Sequence, residues 1–185
     1  MAKRNKFTRR RFVKLAAVGA GSIYLLPRCS SGQDSSWRFF TDAEASLIDA
    51  LAEQIIPSDE WPGGRDSGVT NFIDKQLVGP YTRFQPVYRK GTLAIQESCQ
   101  ILYNRIFEEL TWDEQKAFLE NMEAGKMKEP LWSGGFDKVF FELVRDHSMQ
   151  AYYGSPRHGG NKDNVSYRMM GLDYPIIIGQ NRYNI

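Results

Sequence analysis

Thr41-Asp42-Ala43-Glu44-Ala45-Ser46-Leu47-Ile48-Asp49-Ala50-Leu51-Ala52-Glu53-Gln54-Ile55-Ile56-Pro57 reads as a helix with both ends written into it. Thr41 and Glu44 have the spacing of a capping box, in which the threonine hydroxyl and the glutamate carboxylate each satisfy an amide of the first turn. Leu47, Ile48, Leu51 and Ile55 follow at helical spacing, and Pro57 cannot continue the helix, so residues 41–56 form an amphipathic helix.

The same grammar extends downstream. Residues 57–68 (PSDEWPGGRDSG) are turn chemistry throughout, and a loop of that length either carries contacts to a ligand or partner or simply connects. Val69, Phe72, Ile73 and Leu77 mark a second, shorter helix closed by Gly79-Pro80. A third helix is expected from Pro86 to Glu109, with Leu93, Cys99, Leu102, Tyr103, Ile106 and Leu110 as its apolar stripe. Thr111-Trp112-Asp113-Glu114 is a second capping box and opens a helix carrying Phe118, Leu119 and Met122 inward. Gly135 to Tyr153 completes the series with Phe136, Val139, Phe140, Leu143, Val144 and Met149. Apart from Tyr174 to Ile178, no run alternates as a strand would. The fold class is mainly α, a single compact helical domain over residues 41–185 preceded by a linker over 29–40.

Residues 1–28 have a different character. Thr8-Arg9-Arg10-Arg11-Phe12-Val13-Lys14 is followed by the weakly apolar run Leu15 to Leu26, then Pro27-Arg28-Cys29-Ser30-Ser31. A basic segment, a short apolar run and small residues behind it make a targeting segment rather than part of a fold. The stretch resembles the (S/T)-R-R-x-F-L-K pattern of twin-arginine export signals, with Arg9, Arg10, Phe12 and Lys14 in place and Val13 where leucine is usual. A bilayer-spanning helix would need roughly 20 apolar residues, more than the run supplies. The competing reading is a basic arm for nucleic acid or anionic lipid, which does not explain the apolar run and the Ser/Gly/Asp-rich stretch behind it. Cys29 stands where a lipoprotein signal ends and is a candidate for lipidation, although Arg28 replaces the small residue expected before it. The implied location is periplasmic, reached folded through the twin-arginine translocase, with a membrane anchor if Cys29 is lipidated.

Charge then changes meaning. Of 24 Lys and Arg, eight lie in residues 1–28, which hold no acid; the 16 left face 22 Asp and Glu, a net charge of −6. An acidic chain lacks the basic footprint a general nucleic-acid function requires. The two cysteines, Cys29 and Cys99, make neither a metal site nor a disulfide framework, and Cys99 is expected as a buried small apolar residue.

The densest cluster of chemistry-bearing residues is Tyr152-Tyr153-Gly154-Ser155-Pro156-Arg157-His158-Gly159-Gly160-Asn161-Lys162-Asp163. As an active site it would use His158 as general base and Arg157 as anion clamp. No orienting carboxylate accompanies His158, and Ser155 lacks a nucleophile-elbow pattern. The alternatives are a structural turn and a partner-contacting loop built on Tyr153, Ser155, Pro156, Arg157 and His158. His147 beside Asp146 lacks ligand spacing and is read as capped or solvent-facing. Glu108, Glu109, Asp113 and Glu114 read as a solvated face. There is no glycine-rich phosphate loop, no metal motif and no catalytic set, so this chain is expected to hold no cofactor of its own.

Two separated stretches carry a family resemblance: Leu51-Ala52-Glu53-Gln54-Ile55-Ile56-Pro57-Ser58-Asp59 with Pro62-Gly63, Gly68-Val69 and Phe72-Ile73-Asp74, and Tyr153-Gly154-Ser155-Pro156-Arg157-His158-Gly159-Gly160-Asn161. Together with the export signal they resemble the gluconate 2-dehydrogenase subunit 3 family. The resemblance implies a non-catalytic small subunit of a periplasmic flavin dehydrogenase. Its large subunit is a glucose-methanol-choline type flavoprotein that holds FAD and oxidises a sugar, polyol or sugar acid, passing electrons to a cytochrome c subunit or another acceptor. A folded-state export route suits a chain that carries a signal-less, cofactor-loaded partner with it. Two other functions compete: an independent periplasmic enzyme using His158 and Arg157, and a lipid-anchored helical binding protein.

Overall fold

The computed structural model describes residues 36–172. Arg9, Arg10, Phe12, Lys14, Cys29 and the expected alternation at 174–178 lie outside them. The packed chain begins before Thr41, because a carboxylate reaches back for it. Asp74 is buried and accepts the backbone amides of Arg38, Phe39 and Phe40 at 2.8, 2.8 and 3.0 Å. Buried charge is tolerated where hydrogen bonds replace water, and three amides do so here. Phe40 follows into the core, edge-on to Tyr88 with ring centroids 5.7 Å apart. The end of the expected linker is therefore part of the packed structure.

Six α-helices are present among the described residues: α1 (Asp42–Ile55), α2 (Val69–Leu77), α3 (Gln85–Tyr103), α4 (Trp112–Glu123), α5 (Phe136–Tyr153) and α6 (Val165–Met169). No strand occurs among these residues, and none of these helices is long and apolar enough to cross a membrane. Both capping boxes form as read, with Thr41 N donating to Glu44 and Thr111 N to Glu114, each at 2.8 Å. Leu47, Ile48 and Leu51 of α1, the four apolar positions of α2, and Phe118, Leu119 and Met122 of α4 are buried. α5 packs against α1, α2, α3 and α4 and is the element the core is built on.

α3 departs from its expected boundaries and face. It ends at Tyr103, because Asn104 turns left-handed at φ 53° and returns its amide to Gln100 O at 3.1 Å. Leu93, Leu102 and Ile106 are exposed, and the buried face is Tyr88, Gly91, Thr92, Ala94, Ile95, Ser98 and Cys99. Small residues face inward because α5 brings aromatic bulk to meet them. A Cβ on Gly91 would stand 2.4 Å from the Phe140 ring. Trp132 Nε1 also reaches Ser98 Oγ at 2.8 Å. Cys99 is buried as expected, and burial pushes its thiol up to about 12.

α5 is likewise half as read. Phe140 and Val144 are buried, whereas Val139 and Met149 are exposed. The buried stripe passes instead through His147, contrary to its reading as capped or solvent-facing. His147 Nδ1 lies 3.0 Å from the Tyr88 hydroxyl, and its ring stacks on Tyr81 with centroids 4.5 Å apart and meets Phe84 edge-on. Loss of hydration pushes this imidazole down to about 4.

Candidate functional site

The two stretches singled out in the sequence form one structure. Each begins where a long helix stops, α1 before the first and α5 before the second.

The first, residues 56–68, folds back across the end of α1. Glu53 accepts Ser58 N at 2.9 Å and Arg65 N at 3.2 Å, while Gly64 N donates to Ile56 O at 2.8 Å. Ser58 Oγ accepts Gly63 N at 2.9 Å, and Asp59 Oδ1 accepts Trp61 N at 2.8 Å. At Gly64 the return is so close that a Cβ would sit 2.3 Å from Ala52 O, which no other residue tolerates. The loop is a braced turn, with its polar backbone satisfied by its own side chains.

The second, residues 154–164, repeats that device on α5. A Cβ on Gly160 would stand 2.4 Å from Ala151 O. Asn161, fully buried and left-handed at φ 46°, closes the turn: its Nδ2 donates to Gly154 O at 2.8 Å and its Oδ1 accepts Ser166 N at 3.0 Å. Asparagine suits both tasks, because it tolerates the left-handed region and carries a donor and an acceptor.

Four contacts knit the loops together. Lys162 N donates to Ser67 O at 2.9 Å, Asn71 Nδ2 to Gly159 O at 2.7 Å, and the Tyr152 hydroxyl to Pro62 O at 3.0 Å. Gly68, at φ 81°, passes so near that a Cβ there would lie 3.1 Å from Gly159 O.

On this scaffold Tyr153, Arg157 and His158 are exposed, and Ser155 and Pro156 are half-buried. Arg157 Nε donates to His158 Nε2 at 3.2 Å, which makes that nitrogen an acceptor and leaves the guanidinium end outward. The structure thus groups all five expected contact residues on one turn. Among the described residues no carboxylate hydrogen-bonds His158, and Ser155 Oγ makes none of the hydrogen bonds a nucleophile would need to a base. Among the described residues no group of three His, Cys, Asp or Glu side chains is placed to hold a metal. A shallow groove of ≈ 280 Å³ lies elsewhere, between the start of α1 and the outer side of α3, lined by Glu44, Leu47, Arg89, Leu93 and Gln96.

Sequence reasoning named the exposed tip and passed over what holds it. Asn161, Tyr152 and Asn71 set the turn's position, yet each is an unremarkable polar or aromatic residue in its own local context. Asp74 offered the clearest available signal, a carboxylate between buried positions of a nine-residue helix.

Residues 42–173 match the family model described as Gluconate 2-dehydrogenase subunit 3. The match takes in all six helices and both loops. Comparison with curated proteins and with solved structures returns no match.

Proposed function

Because the chain belongs to the gluconate 2-dehydrogenase subunit 3 family, we propose that it is the non-catalytic accessory small subunit of a periplasmic FAD-dependent sugar, polyol or sugar-acid dehydrogenase. Its task is to mature the glucose-methanol-choline type flavoprotein subunit and carry it through the twin-arginine translocase. FAD belongs to that partner, and a cytochrome c subunit is a further candidate member of the complex. Partner contact is assigned to Tyr153, Ser155, Pro156, Arg157 and His158.

The observation that carries this reading is the joining of the two loops. Residues separated by some ninety positions join through hydrogen bonds and a tight glycine contact, and a left-handed asparagine braces the second loop, to present one exposed turn. Rigid presentation lowers the ordering cost of association, which is what a docking element requires. The turn itself shows exposed Tyr and Arg, residue types that often dominate binding energy.

Export supplies the second support. The twin-arginine resemblance around Arg9 and Arg10 suits a carrier, since that route takes folded cargo and a flavoprotein must fold around FAD before crossing. The test is purification of the tagged full chain from periplasm, followed by an absorbance spectrum. A stoichiometric flavoprotein with flavin absorbance is the expected result. A colourless, solitary chain from cells that make the flavoprotein would refute it.

A further inference from the structure

Basic side chains collect around Gly159 without an ion pair. Lys75 of α2 lays its stem 3.1 Å from the position a Gly159 Cβ would take, and Lys162 Cβ lies 3.9 Å from the corresponding position at Gly68. Arg157 stands two residues before Gly159, held at Nε by His158. Among the described residues, Lys75, Arg157 and Lys162 enter no ion pair, as is true of most basic residues other than Arg38, Arg89, Arg105, Lys116 and Arg145; what sets the three apart is their grouping around Gly159. Asp163 and Asp66 lie in the same two loops, and among the described residues neither makes an ion pair with them. In a chain whose residues from 29 onward carry a net −6, counted from 16 basic and 22 acidic side chains, Arg157 and Lys162 of the turn together with Lys75 of α2 form a local basic patch opposite in sign to that whole.

We infer that this cationic ridge is where the large subunit docks, through a carboxylate-bearing segment of that subunit. The inference rests on the accessory-subunit reading and adds to it the chemistry of the surface the partner must offer. Arg157 supplies a planar fork for a carboxylate, while Lys75 and Lys162 act as point charges on either side. Exposed Tyr153 and half-buried Pro156 border the charges with apolar surface, so the segment pairs acidic with apolar residues. An anionic membrane is the weaker occupant, because recognition of lipid surfaces takes clusters of about four to eight basic residues and the overall acidity opposes it.

The experiment uses the full chain in complex with the flavoprotein that co-purifies with it, and measures affinity at low and high salt. Arg157→Glu with Lys162→Glu weakens the complex at least about tenfold at low salt, and the gap narrows as salt screens the charges. Arg157→Gln with Lys162→Gln falls between, which covers the case where the reversed variant fails to fold. Lys126→Glu with Lys128→Glu makes the same change in net charge at two exposed lysines after α4 and leaves affinity unaltered. Equal loss in that control, or no loss in the ridge variants, overturns the inference. So does loss of binding to phosphatidylcholine vesicles containing phosphatidylglycerol with flavoprotein affinity intact. If the unaltered chain forms no complex with the flavoprotein, the accessory-subunit reading itself falls; an intact complex indifferent to the ridge variants removes this inference alone.

Discussion

His147 Nδ1 lies 3.0 Å from the Tyr88 hydroxyl inside a box of aromatic rings, so the core contains an imidazole hydrogen-bonded to a tyrosine and held neutral by burial.

Acid should therefore unfold the protein partly through this residue. His147 is held down at about 4 against an ordinary 6.5, so between those values the unfolded chain binds a proton that the folded one refuses. Its contribution is fully present above pH 6.5 and is lost as pH falls toward 4, amounting to at most about 3 kcal/mol. His147→Gln keeps a hydrogen-bonding partner for Tyr88 and removes the titration. Urea midpoints from pH 7 to pH 4 are expected to fall less steeply for this variant than for the parent. Parallel slopes would show that other groups carry the acid sensitivity.

Asp74 gives a second outcome, specific to one segment. Removing its carboxylate leaves three amides of residues 38–40 without their acceptor and loosens Phe40 from Tyr88. Asp74→Ala is expected to cost about 3 kcal/mol, since hydrogen bonds to a charged group are the strong kind. Amide exchange at Phe39 and Phe40 should accelerate well beyond that in α4. Uniform acceleration across the chain would place Asp74 in global stability instead.

What the sequence disclosed follows from range. Thr41 with Glu44, and Thr111 with Glu114, act within one turn, so their spacing suffices to announce a helix start. α3 misled because periodicity weighs large apolar residues, and its buried face is cut small to receive Phe140 and Trp132 from another part of the chain. His147 was misplaced for a related reason, its polarity being answered by Tyr88, 59 positions away. At the candidate site the exposed residues were legible as a motif. Their support was not, because Asn71 with Gly159 and Tyr152 with Pro62 are partners only after folding.

The proposed export rests on Arg9 and Arg10, which lysine would replace without loss of charge. Lysine lacks the planar guanidinium fork that a receptor can read. The double substitution should leave both this chain and the flavoprotein in the cytoplasm, seen by fractionation and by flavin-linked dehydrogenase activity in the periplasm. Normal periplasmic amounts of both would end the carrier role.

Asn161 and Tyr153 separate the turn's structure from its use. Asn161→Ala loses two hydrogen bonds, one of them buried, and forces a Cβ-bearing residue without a polar side chain into φ 46°, at a cost of about 3 kcal/mol. Asn161→Gly relieves the backbone strain while losing the same bonds, so it should recover roughly 1 kcal/mol of that loss. Tyr153 is 40% exposed and meets only Tyr152 edge-on among the aromatic rings, so Tyr153→Ala should barely move the melting temperature of the lone subunit. If the turn contacts the large subunit, that same change costs on the order of 2 kcal/mol in binding, about thirtyfold in affinity. The two measurements together decide the role of the turn. Tyr153→Ala with lowered stability and unchanged affinity would make it a fold element of the small subunit alone, and the contact would have to be sought on another face.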